Sequence, residues 1–311
     1  MIRRWAGQLL RATRGPGHTH GYKKEAQSQA AQFKERLNSA LARCNVVPRS
    51  EESPIFILSA GWRSGSTLLQ RMMMQHNKKL LVWGEPFNYA HVLERLMDQL
   101  RAFTDAWPKA SYLISNRLTE SLSDQGVANL YPDVEYLLSA HIKFLDELLA
   151  AQAKNLGYST WGAKEVRWSS AQALYLKTLY PRAKFLLLYR NPYDAYASFY
   201  RICDGWFARW PEHMIATPYA FGRQWATLTE DFMTHHEELG ALLVRYEDLD
   251  NPQKTAELSA YLGWEVPRAR ELRRLVTDKI EAKVPEHTQL PTIDRALLSL
   301  AVQKIARRAG Y

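Results

Sequence analysis

A chain of 311 residues, 46% of them hydrophobic, is long enough to bury one large α/β core or at most two small ones. No run approaches the roughly 18 apolar residues of a membrane-spanning helix. Only two cysteines, Cys44 and Cys203, are present, and histidines such as His18, His20, His76 and His91 keep no metal-ligand spacing, so a disulfide framework and a metal site are both excluded and a reducing, cytoplasmic setting is expected. The formal net charge of +9 suits nucleic acid, a membrane surface or a polyanionic small molecule. The body of the chain lacks a compact Lys/Arg block interleaved with aromatics, which argues against nucleic acid.

Residues 1–24 carry Arg3, Arg4, Arg11, Arg14, Lys23 and Lys24 and no acid, with Ile2, Trp5, Leu9 and Leu10 on one helical face. This reads as a basic helical arm, solvated or packed on the body, that leaves room for a weak peripheral membrane contact. The continuous apolar stretch of a secretory signal is missing. A polar helix is expected over 21–43 and a linker over 45–54, so the division is an N-terminal arm, 1–50, and one domain, 51–311.

The domain opens on Ile55-Phe56-Ile57-Leu58, an apolar run too short for a buried helix and therefore a core strand. It turns through Gly61-Trp62-Arg63-Ser64-Gly65-Ser66 and continues as a helix over 67–76. A strand, a Gly/Ser turn and a helix start aim backbone N–H groups and positive potential at one point, which suits a phosphate-like anion. The loop is not a Walker A motif, because that pattern needs Lys directly before Ser/Thr. Here the cation is Arg63, whose guanidinium can grip two oxyanion oxygens.

Further strands are expected at 79–83, ending at Gly84-Glu85-Pro86, and at 161–166, 184–189 and 241–245. Helices are expected over 89–103, 134–154, 171–179, 194–202, 219–238, 252–262 and 267–277. Alternating strands and helices predict a three-layer α/β domain, a mostly parallel sheet covered on both faces. Ligands in such sheets bind beyond the strand C-termini. Arg63, Glu85, Lys164, Arg190 and Tyr246 all fall at or just past predicted strand ends.

Three segments in this order resemble the sulfotransferases that use 3′-phosphoadenosine 5′-phosphosulfate (PAPS). Arg63-Ser64-Gly65-Ser66-Thr67-Leu68 is similar to the family's 5′-phosphosulfate loop. The strand 185–189, followed by Arg190 and by Ser198 eight positions later, resembles its 3′-phosphate motif. Arg245-Tyr246-Glu247-Asp248-Leu249 resembles its R-Y-E-D-L strand end. The resemblance covers about residues 54–250. It implies a P-loop NTPase-like sulfotransferase fold, PAPS as donor, adenosine 3′,5′-bisphosphate as product and no required metal.

On that resemblance, Arg63 and the N–H groups of Ser64, Gly65, Ser66 and Thr67 hold the 5′-phosphosulfate, Arg190 and Ser198 hold the 3′-phosphate, and Tyr246 lies near the adenine. Lys164 falls where soluble members carry a catalytic Lys, but the His they use as base two residues later is Val166 here. Glu85-Pro86 is similar to the acid of carbohydrate and tyrosyl-protein members, which makes Glu85 the expected general base, with Lys164 and Arg63 as electrostatic catalysts. Lys283 would close a late loop over the 3′-phosphate. The implied acceptor is a hydroxyl, or an amine, of a small molecule or carbohydrate. Two other readings use the same residues: a P-loop nucleotide kinase, against which the missing lysine and the Arg190/Ser198 pair argue, and a non-catalytic nucleotide-binding module, which only turnover separates.

Overall fold

The computed structural model describes residues 21–86, 90–117, 127–202, 215, 217–276 and 290–311, with the side chains of 21–29, 201–202 and 273–276 left aside. Residues 1–20 of the arm, Cys203 and Lys283 lie outside the described residues.

Five strands form one sheet: β1 (Ile55–Ser59), β2 (Leu80–Gly84), β3 (Thr160–Glu165), β4 (Lys184–Tyr189) and β5 (Leu242–Arg245). Their spatial order is β2-β3-β1-β4-β5 and every neighbouring pair is parallel. All five residues of β1 are buried, as a central strand covered on both faces requires. Alternate residues of β1 serve two cores. Phe56 and Leu58 join one with Trp161, Tyr175, Phe185 and Trp225; Ile55 and Ile57 join the other with Leu69, Met72, Leu186 and Leu258. A fully buried Phe56 alone contributes about 1.5–3 kcal/mol, and its ring stacks on Phe185 at 5.4 Å.

On the Phe56 side lie α1 (Gly21–Leu41), α3 (Val92–Gln99), α4 (Val134–Leu145), α5 (Ser170–Leu179), α6 (Pro192–Ile202), α7 (Pro218–Leu239) and α10 (Thr292–Arg308). On the other side lie α2 (Ser66–His76), α8 (Pro252–Leu262) and α9 (Ala269–Val276). The expected three-layer α/β architecture is therefore present. Within the expected 1–50 arm, α1 buries Ala30, Phe33, Leu37 and Ala40 in the same core as the sheet.

Local chemistry sets the helix limits. α5 starts on a reciprocal capping box between Ser169 and Gln172. α7 starts at Thr217, whose Oγ1 accepts from Ala220 N at 3.1 Å, with Pro218 in the first turn. α8 starts at Asn251, which accepts from the N–H groups of Gln253 and Lys254.

Three features depart from the sequence expectation. The expected helix 134–154 passes through a π-helical turn, Asp146–Ala151, before its last turn, Gln152–Asn155. Asp146 accepts there from Ser50 Oγ (3.1 Å) and Tyr180 OH (2.9 Å). The expected helix 89–103 is shorter, α3 followed by a 3-10 turn, Leu100–Ala102. The third is α10, which lies beyond the last expected element. It packs along α7, where a Cβ on Gly222 would sit 2.9 Å from atoms of Leu298, Ala301 and Val302.

Candidate active site

Each strand delivers one element to a single edge of the sheet. In spatial order these are Glu85 after β2, Lys164 in β3, the loop 60–65 after β1, Arg190 after β4 and Tyr246 after β5.

The loop is fixed from within. Ala60 N donates to Leu188 O (2.8 Å), which ties the end of β1 to β4. Ser64 is fully buried, and its Oγ donates to Ala60 O (3.1 Å) and Gly61 O (2.9 Å). Its hydroxyl braces the turn, so its N–H is what it offers an anion. Arg63 and Gly65 have φ of 63° and 91°, and α2 begins immediately afterwards. The first-turn N–H groups of α2 have no intrahelical acceptors and point out of its N-terminus. Ser66 is buried and Thr67 exposed. A Cβ on Gly65 would lie 2.1 Å from Tyr246 Cδ2, so only glycine lets the Tyr246 ring rest on the loop.

Arg190 stacks on the same ring, its Cζ 4.2 Å from the Tyr246 centroid. Its Nη1 donates to Arg63 O (3.2 Å), and its Nε is buried without a hydrogen-bond partner among the described residues. An orphaned guanidinium N–H is costly unless an anion meets it. Arg63 Nε donates to Ser198 Oγ (3.0 Å) on α6. Arg63, Gly65, Arg190, Ser198 and Tyr246 thus form one cluster. Arg63 reaches toward Ser198, so it joins two segments that lie far apart in the sequence, and Tyr246 joins Arg190 to the loop.

Glu85 and Lys164 form a second cluster on the far side of β1. Lys164 Nζ lies 2.5 Å from Glu85 Oε1, with side chains 8% and 23% exposed. The backbones are joined too, Glu85 N donating to Lys164 O at 2.7 Å. Glu85 has φ of 40°, a left-handed conformation that costs a non-glycine residue about 1–2 kcal/mol. The model of the sulfotransferase family matches residues 54–268, more than half of the chain.

The chain belongs to the sulfotransferase family.

No protein of curated function matches this sulfotransferase-family chain in sequence. Among solved structures it is similar to the sulfotransferase domain of the Synechococcus PCC 7002 olefin synthase (19% identity, 86% of this chain and 98% of that one, TM-score 0.44). It is also similar to a sulfotransferase from Alicyclobacillus acidocaldarius (17% identity, 83% and 100%, TM-score 0.39). A third is mouse sulfotransferase SULT7A1 complexed with PAP (15% identity, 85% and 78%, TM-score 0.34).

The structure adds site residues that the sequence reading passed over. Trp225 Nε1 donates to Arg190 O (2.9 Å), and Glu247 Oε1 accepts from Asn191 N (2.9 Å). Glu247 stands inside the R-Y-E-D-L segment and carried a signal; Trp225 reads in the sequence as one of several aromatics able to line an acceptor pocket or the core, with nothing to link it to Arg190. Glu165, beside Lys164, is 3% exposed and accepts from Val166 N (2.8 Å) and Arg167 Nε (3.3 Å). Burial pushes its carboxyl above the ordinary range, Arg167 opposes the rise and Glu85 adds to it. Among the described residues no group of three or more His, Cys, Asp or Glu could hold a metal ion, and no helix is long and apolar enough to cross a membrane.

Proposed function

We propose that the chain transfers a sulfuryl group from PAPS to a hydroxyl, or an amine, of a small-molecule or carbohydrate acceptor, with Glu85 as general base, in the cytoplasm. The observation that carries this reading is the Glu85–Lys164 ion pair set one strand away from a phosphate-type loop to which Arg190, with its orphaned Nε, is joined. The donor fits these residues: a loop at a helix N-terminus and two guanidiniums supply fixed donors for two separated anionic groups without a metal.

In this reading Arg63 and the N–H groups of residues 64–67 hold the 5′-phosphosulfate, and Arg190 with Ser198 holds the 3′-phosphate. The Glu85 carboxylate takes the acceptor proton as the acceptor oxygen bonds to sulfur. Lys164, held against Glu85, donates to the bridging oxygen as its bond to sulfur breaks and charge passes to the phosphate. Positioning and charge neutralisation account for the catalysis, as in phosphoryl transfer.

Two measurements test it. Calorimetric titration without magnesium should show tight binding of adenosine 3′,5′-bisphosphate and weak binding of ATP; ATP preferred in the presence of magnesium overturns the reading. Glu85→Gln should lower PAPS-dependent turnover by about 10²–10⁴-fold while the bisphosphate still binds. Full turnover in that variant removes Glu85 as the base.

A further inference from the structure

Arg190 is aimed by contacts on its backbone as much as by those on its guanidinium. Its carbonyl accepts from Trp225 Nε1, and the next N–H, that of Asn191, donates to Glu247 Oε1. Asn191 also starts α6. Its Oδ1 accepts from Tyr193 N (2.9 Å) and Asp194 N (3.4 Å), and its carbonyl accepts from Ala195 N (2.9 Å). α6 carries Ser198. Both groups assigned to the 3′-phosphate therefore hinge on the orientation of Asn191, and Glu247 sets that orientation.

Glu247 is held in turn by Tyr311, whose OH donates to its Oε2 at 2.6 Å. The Tyr311 ring packs edge-on to Tyr189 (6.2 Å) and beside Trp225 (6.4 Å), with the Arg245 guanidinium 4.7 Å from its centroid. Burial and the adjacent Glu247 push its phenol upward, so it remains a donor at neutral pH. The end of α10 delivers this ring. Gly310 has φ of 83°, Tyr311 N donates to Ala306 O (2.9 Å) and Gly310 N to Arg307 O (3.2 Å), a Schellman closure that turns the chain onto the sheet edge.

We propose that Tyr311 is a positioning residue for the 3′-phosphate subsite: through Glu247 and Asn191 it sets the direction of Arg190 and the start of the helix that bears Ser198. The inference rests on the PAPS reading of the site. Its test is calorimetry of the wild-type chain and Tyr311→Phe with two nucleotides, adenosine 3′,5′-bisphosphate and adenosine 5′-monophosphate, which differ only in the 3′-phosphate. Tyr311→Phe should weaken the bisphosphate by about 3- to 10-fold and leave the monophosphate within about twofold, so the ratio of the two falls. Glu247→Ala, which removes the relay, should lower the ratio at least as far. A general structural effect weakens both nucleotides together and leaves the ratio unchanged; that result, or no change in either affinity, overturns the assignment of Tyr311 alone. A wild-type chain that does not distinguish the two nucleotides overturns the functional reading, and Tyr311's role with it.

Discussion

Arg190 is the residue on which the proposed nucleotide half of the site converges. Its guanidinium lies over Tyr246, its Nη1 reaches the Arg63 carbonyl and its Nε has no partner among the described residues. A charge-assisted hydrogen bond contributes about 1.5–3 kcal/mol, so Arg190→Ala should weaken adenosine 3′,5′-bisphosphate by about that much in a calorimetric titration. An unchanged dissociation constant would remove Arg190 from the site. The residue types and spacings around it were legible in the sequence, since Arg63, Gly65, Arg190, Ser198 and Tyr246 all sit in short segments with recognisable order. What spacing could not convey was which side chain meets which. Arg63 contacts Ser198, 135 positions away in the chain, and Trp225, which the sequence offers as a pocket or core aromatic, reaches Arg190.

At the scale of elements, the strands were readable because central parallel strands are continuous apolar runs, as in Ile55–Ser59 and Lys184–Tyr189. The π turn at Asp146–Ala151 was not. It exists where Asp146 meets Ser50 and Tyr180, a tertiary arrangement with no local signature. α10 did carry a signal in Leu298, Val302, Ile305 and Ala306, which recur at helical spacing and are buried. Arg295, Gln303, Lys304, Arg307 and Arg308 dilute that pattern. The α7–α10 contact depends on Gly222, where an added methyl would stand 2.9 Å from three side-chain atoms. Gly222→Ala should force the two helices apart at a cost of about 1–3 kcal/mol, seen as a lower urea midpoint with an unchanged slope.

For the whole molecule, His141 is expected to make stability depend on pH on the acid side. Its Nε2 pairs with Gln99 Oε1 (3.0 Å) and its Nδ1 with Tyr175 OH (2.6 Å), which joins α4 to α3 and α5 inside the main core. Burial lowers its pKa from 6.5 to about 4. A base whose folded value is depressed contributes stability that is present above 6.5 and lost as pH falls toward 4. Full titration across that gap corresponds to roughly 3 kcal/mol. Unfolding free energy should therefore fall between pH 7 and pH 4 more steeply in the wild-type chain than in His141→Gln; equal slopes would mean that His141 does not govern the acid limit.

The strand order has a consequence for how such a site can diversify. β1 stands at the middle of the sheet, with β3 and β2 to one side and β4 and β5 to the other. The Glu85–Lys164 ion pair, which the proposed function makes the proton-handling pair, belongs to the first flank, and Arg190 and Tyr246, its proposed nucleotide contacts, belong to the second. On the proposed function the two jobs fall to separate halves of one scaffold, on either side of β1. If the chain works as proposed, sequence change on the β2–β3 flank would alter which alcohol or amine is accepted while the donor grip stays intact, much as a tool changes its bit and keeps its chuck.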